Sequence, residues 1–121
     1  MNIVRDNLFP TDVYIVDELI ENNYLNKLKE FIINSKNDDR TLWQSQPKLF
    51  NEPLFEKFTN KILQFSKLVL DTKEVEFDAF EVTDMWANII QPNTGHKAHT
   101  HPNNYFSGVF YVQSDDDVNI R

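Results

Sequence analysis

Apolar positions along the chain repeat with one period before Thr72 and another after it. Ile20, Tyr24, Leu28, Phe31 and Ile32 recur at intervals of three and four, with Lys27, Lys29, Glu30 and Lys36 mostly off that stripe. The spacing predicts an amphipathic helix running to about Asn37, with Asp17 placed to cap it. Phe55, Phe58, Ile62, Phe65 and Val69 repeat in the same way and predict a second helix starting near Pro53, since proline fits a first turn. The second stripe reads as core packing. Ahead of them, Val13 to Val16 reads as a short strand within Leu8 to Val16, after a bend at Pro10. Between them, residues 35–40 form a polar loop, and Trp43, Leu49 and Phe50 sit in a stretch broken by Pro47 and Pro53.

Past Thr72, Val75, Phe77 and Ala79 alternate with Glu74, Glu76 and Asp78, the repeat of a strand with one wet face. Val82 to Gln91 is apolar on both faces and predicts a buried strand; residues 92–95 (PNTG) predict a turn. His99 to His101 begins another extended segment, and Ser107 to Val112 is again strand-like. Residues 114–117 read as a turn, and residues 118–121 as a strand just beginning. The order predicts a single α+β domain over residues 1–121, with 1–73 mainly helical support and 74–121 antiparallel strands, the helices bracing one face of a curved sheet.

Composition narrows the function classes. The chain has 121 residues, 40% of them hydrophobic and 13% aromatic, which excludes disorder and fits one domain or part of one. Two glycines are few for tight β-turns, so Asn and Asp are expected to serve there. The 12 basic residues are outnumbered by 19 acidic ones, giving a net charge of −7 with no basic run. That balance argues against nucleic acid and against an anionic membrane surface as partners. The absence of cysteine excludes disulfides, thiolate metal sites and a cysteine nucleophile. Neither a signal-peptide core nor an apolar stretch of spanning length is present, so a soluble, cytoplasmic protein is expected.

All three histidines, His96, His99 and His101, fall within six residues. On a strand, residues two apart share a face, so His99 and His101 would present two imidazoles together, while His96 would face the other side. Neutral imidazole suits Fe, Zn, Cu or Ni, and two histidines with one carboxylate form the facial triad of non-haem Fe(II) oxygenases. The competing reading is a histidine-decorated loop. Further ligand candidates are His96, Asn103, Asp115, Asp116 and Asp117, although the Asp run reads first as a solvated turn. Asn88 either reaches the site from the strand before the turn, as a cofactor-binding residue, or serves as a polar ladder partner. Trp86, Phe110 and Tyr111 read as core and Tyr105 as a loop aromatic. There is no Gly-rich phosphate loop and no G-x-S-x-G elbow, and Ser107 beside Gly108 reads as a packing or bulge position.

Residues 86–89 (WANI) through Gly95, then 99–103 (HTHPN), then 107–112 (SGVFYV), resemble in order the 2-oxoglutarate/Fe(II)-dependent oxygenases common in marine bacteria and their phages. The likeness is specific over residues 85–112 and loose elsewhere, including Leu8-Phe9-Pro10 followed by Val13-Tyr14. The resemblance implies N-terminal helices packed on an antiparallel double-stranded β-helix, or jelly roll, with iron at the barrel mouth. It also implies Fe(II) and 2-oxoglutarate as cofactors, with oxidative decarboxylation of 2-oxoglutarate coupled to hydroxylation of a substrate. That substrate is a small molecule or a protein side chain. By this resemblance His99 matches the first metal ligand, and His101 the position usually held by Asp or Glu.

Two departures follow. With His101 at the acid position, the site is all-imidazole unless Asn103 contributes. Moreover, the resemblance implies a distal histidine as third ligand and, about ten positions later, a basic residue that pairs with 2-oxoglutarate; no histidine follows His101, and Arg121 comes too early to match that residue. The jelly roll is therefore expected to be incomplete, the chain being the N-terminal portion of a longer oxygenase that lacks its C-terminal half or pairs with another copy. Two alternatives stand beside this reading: a cupin-like metal-binding protein without 2-oxoglutarate, and a non-catalytic or degenerate module that pairs with another chain.

Overall fold

The computed structural model describes residues 1–6 and 8–114. Its elements are α1 (Asn22–Ser35), β1 (Leu42–Gln44), two 3-10 turns (Leu49–Asn51 and Pro53–Phe55), α2 (Glu56–Thr72) and β2 (Asn88–Ile90). The two helices and a two-stranded antiparallel sheet make an α+β arrangement. The turn expected at residues 114–117 and the strand expected from Val118 to Arg121 lie, apart from Ser114, outside the described residues.

Both helical stripes fold as the periodicity requires. Ile20, Tyr24 and Leu28 from the first, with Leu49, Phe55 and Phe58, form one buried cluster, against which Phe31, Ile32 and Ile62 pack. Leu28 retains only 1% of its accessible surface. A buried leucine of this kind contributes about 1.5–3 kcal/mol. Phe31 and Phe55 meet edge to face at 5.4 Å, joining α1 to the entry of α2.

Two hydrogen-bonding devices bound α2. At its start Phe55 is the N-cap and offers no side-chain acceptor. The Tyr24 hydroxyl of α1 takes that role, accepting from the Phe58 N–H at 3.1 Å and donating to the Leu54 carbonyl. At its end Glu74 adopts a left-handed φ of 53°. The Glu74 N–H donates to Asp71 O and the Val75 N–H to Leu70 O, both at 3.3 Å, closing the helix as a Schellman motif without glycine.

The helix α1 starts later than expected. Glu21, not Asp17, is its N-cap, because the chain turns through a positive φ of 54° at Glu18 and cannot continue a helix there.

The strand expectations need larger corrections. Leu8 to Val16 is irregular and exposed, held by the Asp12–Lys73 ion pair and by Lys73 over the Tyr14 ring. Val75 to Ala79 forms no strand; it has alternation but, among the described residues, no partner strand, and Phe77 remains 44% exposed. The expected Val82–Gln91 strand contracts to β2 with an isolated bridge at Met85. Ser107 to Val112 is likewise irregular, docked through Phe110 on Phe58 at 4.9 Å while Val109 stays 77% exposed.

The partner of β2 is a strand the periodicity missed. Leu42, Trp43 and Gln44 pair antiparallel with Ile90, Ile89 and Asn88. Backbone bonds continue the pairing on both sides, from Gln91 N to Thr41 O at 2.8 Å and from Met85 N to Pro47 O at 2.9 Å. Trp43 is buried, and its indole N–H donates to Asn37 Oδ1 at 3.0 Å.

Candidate functional site

The histidines lie beyond β2, in a loop between two Pro-Asn turns. Proline fixes φ at the first corner, and a second corner with positive φ favours Gly or Asn. Asn93 (φ 62°) and Asn103 (φ 63°) take that conformation directly after Pro92 and Pro102. The first turn closes with Thr94 N donating to Gln91 O at 3.2 Å, as expected for residues 92–95. The second is fastened by Asn104, whose side chain accepts from the Thr83 hydroxyl at 3.1 Å and donates to Pro102 O at 3.2 Å. Lys48 in turn holds Thr83 O at 2.7 Å and Asp84 Oδ1 at 2.9 Å. The turn after His101 is thus tied, through Thr83, to the chain leading into β2.

Within the loop the rings follow one another. His96 and His99 have ring centroids 5.3 Å apart, and His99 and His101 4.8 Å apart, edge to face. His101 continues onto the Trp86 ring at 5.7 Å. His96 therefore sits beside His99 rather than on the opposite side. The expectation of an extended segment fails here because, among the described residues, no ladder bond holds 95–101. His96 and His99 are exposed and His101 is half-buried. The His99 Nδ1 lies 2.8 Å from Lys97 O. A carbonyl only accepts, so Nδ1 carries a proton, and in the neutral ring Nε2 is the nitrogen with the free lone pair.

The other candidates are placed as follows. Asn88 is exposed in β2 opposite Gln44, the position of a polar ladder residue. Asn103 shapes the second turn. Asp115, Asp116 and Asp117 lie outside the described residues. Trp86 is half-buried against His101, not core, and Tyr111 is exposed. Tyr105 is exposed as a loop aromatic, edge to face with Phe106 at 4.9 Å. Among the described residues no three or more His, Asp or Glu side chains converge into a group that could hold a metal. The donors that do lie together are the His99–His101 imidazole pair with the His96 ring adjacent, of the nitrogen-donor type that suits Fe, Zn, Cu or Ni but short of a metal-holding group. The Thr83–Asn104 tie and the Tyr24 cap were both missed from sequence, since neither leaves a periodic signal.

Residues 84–120 match the family model described as "Putative 2OG-Fe(II) oxygenase". The matched segment takes in the Asp84 contact with Lys48, Trp86, β2 and all three histidines. It supports an oxygenase, an oxidoreductase class, and that family implies Fe(II) and 2-oxoglutarate. No curated protein and no solved structure matches the chain. Among the described residues no helix is long and apolar enough to cross a membrane.

Proposed function

We propose that the chain belongs to a 2-oxoglutarate/Fe(II)-dependent dioxygenase of the hydroxylase type, with residues 74–121 contributing the first strands of a jelly roll and residues 1–73 its helical support. The observation that carries the reading is the coincidence of the family match over residues 84–120 with the adjacent His99 and His101 rings. His99 and His101 would hold the metal. Bound Fe(II) with 2-oxoglutarate would supply oxidative decarboxylation coupled to hydroxylation of a small molecule or protein side chain.

The chain's own residues account for how such a pair is held. The Lys97 carbonyl fixes the His99 tautomer so that Nε2 is free to ligate, a role carbonyls commonly play behind metal-binding imidazoles. Trp86 lies beside His101, its ring 5.7 Å away. Asn104 and Thr83 hold the turn that follows. Asn88, on the strand entering the loop, is the residue assigned to the cofactor.

Anaerobic calorimetry on the protein from its natural source tests the reading. 2-Oxoglutarate is expected to bind only with Fe(II) present, and His99→Ala is expected to abolish that binding. Metal binding indifferent to 2-oxoglutarate would overturn it.

A further inference from the structure

We infer that the cleft between α1 and α2, lined by Lys27, Lys57 and Lys61, is a binding site for a small organic phosphate ester. The site shares no residue with the histidine loop and does not depend on the function proposed there.

The cleft has a volume of about 500 Å³, within the range of small-molecule sites. Helix α1 contributes Tyr24 and Lys27. Helix α2 contributes Lys57 and Lys61, with Asn60 and Gln64 between and beyond them; the spacings of three and four put these side chains on one helix face. Three of the chain's 12 basic residues thus meet at one cleft of a protein whose net charge is −7. Glu56 also lines it, so three lysines face one lining carboxylate.

The cluster already holds an anion of its own. Glu21 is the N-cap of α1 but makes no side-chain capping bond. Its carboxylate instead accepts a hydrogen bond from Lys57 Nζ at 2.6 Å, and that ammonium lies 5.1 Å from the centre of the Tyr24 ring. Lys57 foremost, and Lys27 and Lys61 as well, hold the Glu21 carboxyl below the usual carboxylate range, so all three ammonium groups act on one position. The Lys57 and Glu21 side chains are 51% and 65% exposed, and exposed pairs of this kind are weak. A ligand of higher charge therefore displaces Glu21 at little cost.

The donor types select the ligand. Arginine offers a planar fork that matches carboxylates, whereas an ammonium is a point charge suited to phosphate. The cations lining the cleft are all lysines, and the Asn60 and Gln64 amides add neutral donors for the remaining phosphate oxygens. Tyr24, Pro53 and Leu54 supply apolar surface for the organic body that carries the phosphate.

Phenyl phosphate is the probe, titrated into the full chain at constant ionic strength and followed by proton–nitrogen correlation NMR. Saturable shifts are expected at the Asn60 and Gln64 side-chain amides. Replacing both Lys57→Gln and Lys61→Gln should weaken binding at least about tenfold, the scale of losing charge-assisted contacts. Glu21→Gln should tighten it about two- to fivefold, because the internal competitor is gone. All three substituted residues are exposed, and an unchanged circular dichroism spectrum would confirm that lost affinity is not lost folding. Shifts that do not saturate, or a double variant that binds as the parent does, would overturn the site. Phenylacetate shifting the same amides with equal affinity would overturn its assignment to phosphate.

Discussion

The Tyr24 hydroxyl accepts a hydrogen bond from the backbone N–H of Phe58 at 3.1 Å, so one helix supplies the cap that the other lacks. Phe58 is the third residue of α2, the N–H that an N-cap serine or aspartate would normally satisfy, and Phe55 at the N-cap position has nothing to offer it. The same hydroxyl donates to Leu54 O. Tyr24→Phe keeps the ring in the core but strands a buried N–H and a carbonyl. The expected loss is about 1–3 kcal/mol, read as a lower denaturant midpoint with unchanged slope. An unchanged midpoint would show that water replaces the hydroxyl.

The opposite end of α2 yields a prediction of the other sign. Glu74 holds φ at 53°, where a side chain costs about 1–2 kcal/mol, and it places a carboxylate just past the negative end of the helix dipole. Glu74→Gly removes both penalties, offset in part by the freedom glycine gains in the unfolded chain. A net stabilisation of about 0.5–1 kcal/mol is expected in thermal or urea unfolding. A destabilised variant would show that the Glu74 side chain makes a contact worth more than the strain.

These two ends also show what is legible in the sequence. The stripes through Leu28 and Phe58 were readable because a helix satisfies its own backbone, so the apolar period alone specifies it. The end of α2 at Thr72 was readable for the same reason, where the period breaks. Strands have no such autonomy. Val75 to Ala79 alternates well and finds no strand partner among the described residues, whereas Leu42–Gln44, with no alternation to notice, pairs with Asn88–Ile90 across the two 3-10 turns and α2. The histidines were conspicuous, but their mutual placement depends on Asn93 and Asn103 entering the left-handed region. Composition hints at that use of Asn without fixing it.

Acidification is expected to release the N-terminal segment before the core responds. The Lys73 ammonium, by hydrogen bond and charge, holds the Asp12 carboxyl below the usual carboxylate range, and Asp12 in turn raises Lys73. A depressed folded-state carboxyl contributes attachment that is present above its unfolded pKa and lost as pH falls through the folded value. The Lys73 contribution is lost only as pH rises through its raised value. Tyr14 sits beside Lys73, so its ring resonances should move in acid while those of Tyr24 stay. Asp12→Asn should reproduce the acid spectrum at neutral pH; a Tyr14 signal identical in parent and variant would refute the tether.

Trp86 offers a direct optical report on the histidine loop. Its ring lies 5.7 Å from His101, whereas Trp43 is buried in the core with its N–H satisfied by Asn37. A paramagnetic cation such as Ni(II) or Cu(II) held by the imidazoles would come close to the Trp86 indole, and contact-range quenching should lower its emission. The two tryptophans separate the signal from its background. Trp43→Phe should keep the metal-dependent loss of fluorescence, while Trp86→Phe should remove it and leave a constant emission from Trp43. Thr83→Val adds a mechanical check, because it cuts the bond to Asn104 that fastens the turn after His101. If that turn positions His101 against Trp86, the variant should need more metal for the same quenching with its far-ultraviolet spectrum unchanged. Quenching of equal size in the Trp86→Phe variant would mean that the cation binds elsewhere on this acidic chain, and the histidine loop would lose its claim to be the site.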